Sequence, residues 1–199
     1  MKYKVYEWGG VDLREHECEN YLANPDGFFD LGITNCDSHP TNVNNALVRE
    51  PVIYIENLEN KEIHLQVDIH PHGKITETLP KYEKIGDWKI TVNKDNVIND
   101  IFNYLFYEVD INLVEDIKCN SYRYYKETIY SALKQLFKDE GFKEIHFNDF
   151  INYWAKTIDK YENEINFTIF NKNMINKYFH TVFSPYPPIS WKRLYIAFW

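Results

Sequence analysis

Two pairs of cysteine and histidine side chains lie close together within the first forty residues. His16 is two positions before Cys18, and Cys36 is three positions before His39. Thiolate sulfur and imidazole nitrogen are preferred ligands of Zn²⁺, and two such pairs joined by a loop can complete a tetrahedron. Four protein ligands would leave no open position for a substrate, so the pattern predicts a structural zinc site. The alternative interpretation is a set of ordinary loop cysteines and surface histidines.

The segment around these pairs favours the zinc hypothesis, because nothing else in it predicts a stable fold. Residues 1–50 are rich in turn-forming residues such as Asn24–Gly27, and only Tyr3–Trp8 has the composition of a strand. A loop region of this length is uncommon inside a compact domain unless something fixes it. A bound zinc ion could supply that folding energy.

A second group of potential metal ligands lies on one predicted strand. His64, Asp68 and His70 are separated by even numbers of positions, so they should share one strand face, and His72 follows shortly after. Two imidazoles and a carboxylate could form an open site for a non-haem iron or a hydrolytic metal. Strand neighbours two positions apart are about 6 to 7 Å from each other and point in parallel, which hinders convergence on one ion. A polar, solvent-facing strand is the alternative.

The elements that position these residues are predicted to be strands in the middle of the chain. Apolar and polar side chains alternate from Ile63 to His70, and short apolar runs lie at 52–55, 88–92 and 102–109. Polar turns separate these runs, and no helical spacing lies between them. This pattern is typical of an antiparallel meander or a small sandwich.

After Asn120 the apolar residues recur every third or fourth position, which predicts two amphipathic helices ending near Tyr161. Gly141 is expected to end the first helix, and short strands are expected beyond residue 164. The sequence therefore predicts an α+β protein: a β-sandwich-like antiparallel meander followed by two helices packed on a small antiparallel sheet. Its parts are expected to be a loop-rich segment at 1–50, a meander at 51–115 and an α+β part at 116–199.

Composition limits the classes of partner. The formal net charge is −8, and the chain has 16 Tyr, 13 Phe and 5 Trp residues. A general nucleic-acid-binding protein would need a basic face, so nucleic acid is not an expected partner. No run approaches the roughly 20 apolar residues of a membrane span. The absence of an apolar leader and the odd count of 3 cysteines predict a cytoplasmic location.

Six short motifs lie along the chain. They are Tyr6–Gly9, Arg49–Tyr54, Gly73–Tyr82, Gly86–Ile90, Asn103–Glu108 and Asp149–Trp154. In order and spacing they resemble an uncharacterised family of bacterial and archaeal proteins, often exported or lipid-anchored, with YEWG, R-[KE]-P-V-I-Y, G-x-[LI]-T-x-T-x-P-x-Y…GW and E-F-I-x-Y-W motifs. The resemblance implies a shared fold and no assigned reaction. The chain departs from the family pattern by its Cys/His-bearing insert before Arg49 and by lacking an export signal.

The predicted function is a non-catalytic binding or structural module, whose aromatic-rich sheet faces would contact a protein or glycan partner. The alternative is a metal-dependent hydrolase that uses His64, Asp68, His70 and His72. The sequence contains no G-x-S-x-G, P-loop or G-x-G-x-x-G motif that would point to another chemistry.

Overall fold

The structure is a computed structural model that describes residues 1–13, 46–82, 87–111 and 121–198. Within these ranges the chain forms ten strands and three helices. In chain order they are β1 (Tyr3–Asp12), β2 (Ala46–Asn57), β3 (Ile63–Pro71), β4 (Gly73–Leu79), β5 (Asp87–Val92), β6 (Leu105–Ile111), β7 (Ser121–Tyr125), α1 (Lys126–Asp139), α2 (Glu144–Ile158), β8 (Glu164–Ile169), α3 (Lys172–Tyr178), β9 (Phe179–Ser184) and β10 (Ser190–Phe198).

The alternation of apolar and polar residues along the strands produces two sheets. Along β3, Ile63, Leu65, Val67 and Ile69 are buried, whereas the residues between them are exposed or half-buried, as the period of two predicts. The larger sheet has seven strands in the order β4-β6-β2-β1-β10-β8-β7, and the smaller has three in the order β5-β3-β9. All neighbouring strands are antiparallel except β1 and β10, which run parallel.

The seven-stranded sheet is covered on both faces within the described residues. One face packs on the three-stranded sheet through a core that includes Val5, Val67 and Tyr107. The opposite face packs on α1 and α2 through a second core that includes Phe150 and Trp154. The predicted α+β class with a sandwich-like arrangement is therefore confirmed.

The sheet behind the helices is larger than the small sheet that the sequence predicts there. The parallel pairing of β1 with β10 brings together strands that are far apart in sequence, which side-chain periodicity alone cannot indicate. As a result, strands from 1–50, 51–115 and 116–199 all join one sheet. The division of the chain at these boundaries remains a prediction.

Gly9 and Gly10 lie inside β1, although a pair of glycines is more typical of a turn. Their role is to let aromatic rings approach the backbone from both faces. A Cβ at Gly9 would lie 2.7 Å from the Tyr195 ring, and a Cβ at Gly10 would overlap the Trp154 indole ring. Glycine is needed at both positions because a side chain would collide with the aromatic ring packed there.

Gly10→Ala is expected to lower the free energy of unfolding by about 1–3 kcal/mol, because the added methyl group forces the Trp154 ring out of its position. Urea denaturation of the purified variant measures this. In a Trp154→Phe background the same substitution should cost less, because the smaller ring leaves space for the methyl group. An equal cost in both backgrounds would contradict this explanation.

Candidate functional site

An aromatic pocket opens where α2 lies against β1 and β2. Its volume is about 270 Å³. It is lined by Trp8 of β1, Val52 and Tyr54 of β2, Tyr104 ahead of β6, and Asp149, Asn152 and Tyr153 of α2. Four aromatic rings, one carboxylate and one amide therefore surround one small cavity.

The strand and helix periods explain how these side chains meet. Trp8 is two positions after Tyr6, so both side chains point to the helix-covered face of β1. Trp8 packs edge-on against Phe150, with 5.3 Å between the ring centroids. Asp149 and Asn152 are three positions apart on α2, which places them on one helix face. The half-buried Asp149 is thereby held above the sheet.

Two polar groups of the pocket retain hydrogen-bonding capacity. The Tyr54 hydroxyl donates a hydrogen bond of 2.7 Å to Asp149 Oδ2, while Oδ1 accepts none from the described part of the chain. The Trp8 indole N–H is buried and makes no hydrogen bond of full geometry among the described residues, although it lies close enough to the Tyr54 hydroxyl to lower the pKa of that group. The pocket thus offers an acceptor and a donor to a ligand.

The electrostatic environment of the pocket disfavours anions. Burial and the hydrogen bond to Asp149 raise the pKa of the Tyr54 phenol well above its ordinary value, although the neighbouring Trp8 lowers the pKa of that group by a smaller amount. Tyr54 is therefore neutral, and Asp149 is the one carboxylate among lining residues that include no Lys or Arg. A neutral or cationic ligand fits this lining better than an anion.

His146 lies directly behind the pocket wall. Its ring is 4.4 Å from the Tyr54 ring and 4.5 Å from the Tyr6 ring, measured between centroids, and only 4% of the residue is exposed. Burial, together with nearby Lys143, lowers the pKa of His146 to about 4, and Glu56 opposes this weakly. The imidazole is therefore neutral in the folded protein at pH 7.

His146 should make the protein less stable at mildly acidic pH. Between pH 6.5 and 4 the unfolded chain binds a proton at this residue that the folded chain does not, so stability falls as the pH is lowered through this window. The full loss is up to about 3 kcal/mol. Denaturation curves at several pH values should show a shallower loss for His146→Gln. His64→Gln, on an exposed strand position, should follow the wild-type curve; parallel curves for wild type and His146→Gln would contradict the assignment.

A buried ionic network lies on the opposite face of β1, between the two sheets. Glu7 is fully buried and is the direct register partner of Arg193 in the parallel pairing of β1 with β10. Arg193 Nε donates to Glu7 Oε2 at 2.7 Å, and Arg193 Nη2 donates to Glu7 Oε1 at 2.9 Å. Trp191 Nε1 donates to Oε2 at 3.1 Å, while the hydroxyls of Tyr107 and Tyr195 both donate to Oε1.

This network has the properties of a structural element. Glu7 already accepts five hydrogen bonds, which fills the roughly four lone-pair positions of a carboxylate and leaves none for a substrate. Burial lowers the pKa of Arg193, but the adjacent Glu7 more than offsets this and keeps the guanidinium charged. Burial and the Glu7 charge raise the pKa of Tyr107 and Tyr195 well above the ordinary value, so both phenols remain donors.

Glu7→Gln should destabilise the fold by about 3–5 kcal/mol, because it leaves the Arg193 charge buried without a counter-charge. Chemical denaturation measures the change. The matched control is Lys134→Ala, which removes the exposed ion pair with Glu144 and should leave the denaturation midpoint close to that of the wild type. A Glu7→Gln midpoint as close to wild type as the control would contradict the structural role of the network.

Only one of the two predicted groups of metal ligands lies within the described residues. His16, Cys18, Cys36 and His39 lie outside the described residues, so the structural zinc stays a prediction. His64, Asp68, His70 and His72 are all described, and no group of three or more His, Cys, Asp or Glu side chains in that part of the chain could hold a metal ion.

The spacing along β3 explains why this second group does not gather. His64 is exposed near one end of the strand, next to Glu62, and His72 lies beyond the other end against the Tyr178 ring. Asp68 accepts a hydrogen bond from Gln66 at 3.0 Å instead. The parallel direction of side chains along one strand face keeps them from sharing an ion.

Comparison with known proteins gives no independent assignment of a family or a function. No family model matches the chain, and neither a curated protein nor a solved structure matches it significantly. The family resemblance based on sequence motifs therefore stays a prediction. Among the helices of the described ranges, none is long and apolar enough to cross a bilayer.

Sequence reasoning did not predict either the pocket or the ionic network. The three-and-four spacing after Asn120 predicts α2, but the pocket depends on which strand lies beneath that helix. A usable signal for the network is present in the sequence. Glu7 is a charged residue in the series of alternate positions that begins with the apolar Tyr3 and Val5. Arg193 is likewise a charged residue among the aromatic residues of the last strand. Two opposite charges are therefore expected in one core.

Proposed function

We propose that the chain is a non-catalytic binding module and that its aromatic pocket holds one sugar ring of a glycan partner. The observation that carries this proposal is the combination in one cavity of aromatic walls with the free Oδ1 of Asp149 and a Trp8 N–H that makes no hydrogen bond of full geometry. Small-molecule sites commonly combine apolar or aromatic walls with a few convergent polar groups.

The aromatic walls suit the apolar face of a sugar. The C–H groups on one side of a pyranose ring form a flat apolar surface that can pack against the rings of Trp8, Tyr54, Tyr104 or Tyr153. The volume of about 270 Å³ suits a single ring better than a longer segment. A protein partner would require a much larger contact surface than this cavity.

The polar groups distinguish a sugar from a simple cation. The Trp8 N–H requires an acceptor, and Asp149 Oδ1 requires a donor. A hydroxyl group provides both, and Asn152 can bind a further hydroxyl through either end of its amide. A quaternary ammonium ion would be attracted by the aromatic rings and the carboxylate but would leave the Trp8 N–H unsatisfied.

The alternative of a metal-dependent hydrolase has no supporting observation within the described residues. Its residues, His64, Asp68, His70 and His72, lie on the three-stranded sheet or just past its end and do not form a group able to hold a metal. The aromatic pocket lies on the other side of the large sheet, against α2.

The proposal is tested by titrating ¹⁵N-labelled protein with methyl β-glycosides of glucose, galactose, mannose and N-acetylglucosamine. At least one glycoside should shift the amide signals of Asn152 and Tyr153 in a saturable manner. Asp149→Asn keeps an acceptor for the Tyr54 hydroxyl but removes the charge, and it should weaken binding roughly tenfold, as should Asn152→Ala.

Asn148→Ala is the matched control, because Asn148 is an exposed amide on the same helix and does not line the pocket. Its affinity should equal that of the wild type. The proposal would be wrong if no glycoside shifts the pocket amides, if all three variants bind as the wild type does, or if tetramethylammonium binds there and the glycosides do not.

A further inference from the structure

Two histidines from different strands meet on the exposed face of the three-stranded sheet. His70 of β3 and His180 of β9 are direct register partners in an antiparallel pair. Both residues are exposed, and their rings are stacked with 6.0 Å between centroids and 28° between planes. His180 has no place in either group of ligands that the sequence predicts, because its proximity to His70 depends on strand pairing.

The geometry of this pair is close to that of two imidazoles bound to one metal ion. With metal–nitrogen distances of 2.0–2.1 Å and an angle near the tetrahedral value, the two ring centroids would be about 5 Å apart. The observed separation exceeds this by about 1 Å. Rotation of two exposed side chains can close that difference, because directly opposed cross-strand Cβ atoms are about 4.5–5.5 Å apart and need not move.

The surroundings leave the remaining coordination positions open. No group of three or more His, Cys, Asp or Glu side chains among the described residues could hold a metal ion. Asp68, two positions before His70, points in parallel with it along the strand, and Val182, two positions after His180, is an exposed apolar side chain. Neither provides a third ligand, so water would complete the coordination shell. Two imidazoles with open positions suit the divalent ions that prefer nitrogen, namely Zn²⁺, Cu²⁺ and Ni²⁺.

We propose that His70 and His180 form a two-histidine site for a divalent transition-metal ion on the outer face of the three-stranded sheet. This site is distinct from the predicted zinc site at the cysteines and from the aromatic pocket. It also differs from a cluster along β3 alone, because the second ligand comes from the neighbouring strand.

The test is a titration of ¹⁵N-labelled protein with Cu²⁺ alone, whose paramagnetism broadens nearby amide signals. At substoichiometric Cu²⁺, broadening should be centred on His70 and His180. His70→Ala and His180→Ala should each weaken binding at this location roughly tenfold or more, because each removes half of a chelating pair. The double variant should lose binding at this location, since neither imidazole remains.

Single exposed histidines serve as matched controls. His64→Ala and His72→Ala should leave the broadening at β3 and β9 unchanged, because neither side chain faces His180. Reading the signals residue by residue separates this site from any Cu²⁺ bound by the cysteines. The proposal is overturned if the broadening is absent at His70 and His180, if it persists in both single variants, or if His64→Ala reduces it equally.

Discussion

The carboxylate of Glu7 accepts five hydrogen bonds and, with its partner Arg193, connects the two sheets of this fold. It lies on β1 and accepts hydrogen bonds from side chains of β6 and β10, and its partner Arg193 donates to the Phe179 carbonyl oxygen at the start of β9 at 2.6 Å. One charge pair therefore links the central strands of the large sheet to the small sheet. Such a pair stabilises the fold only when every donor is in place, so it also restricts which strand register is possible.

The parallel pairing of β1 with β10 follows from the same constraint. Trp191, Arg193 and Tyr195 share one face of β10 because they are two positions apart, and all three donate to Glu7. A shift of one residue along β10 would turn these donors toward the helices and leave Glu7 buried without partners. The ionic network and the strand register therefore depend on each other.

The two faces of β1 have different tasks. Glu7 and Gly9 face the small sheet, where they hold the network and accommodate the Tyr195 ring. Trp8 and Gly10 face the helices. Trp8 lines the aromatic pocket, and Gly10 accommodates the Trp154 ring. Consecutive residues of one strand therefore form both environments, and the pocket wall adjoins the ionic network.

Local periodicity was sufficient to predict elements such as β3 and α2 but not the short helix α3 or the contacts between distant segments. The alternation at Ile63–His70 and the three-and-four spacing around Trp154 identified β3 and α2, because these patterns arise within one element. The pairings of Glu7 with Arg193 and of His70 with His180 span more than a hundred residues. Strand order determines them, and no spacing within a single segment specifies strand order.

Amide hydrogen exchange of the folded protein tests the central role of the Glu7 network most directly. If the network is the most stable part of the fold, the slowest-exchanging amides should lie in β1 and in the middle of β10, around Leu194 and Tyr195, and should exchange only through global unfolding. Edge strand β7 should exchange faster. Exchange in the middle of β10 as fast as in β7 would contradict this account.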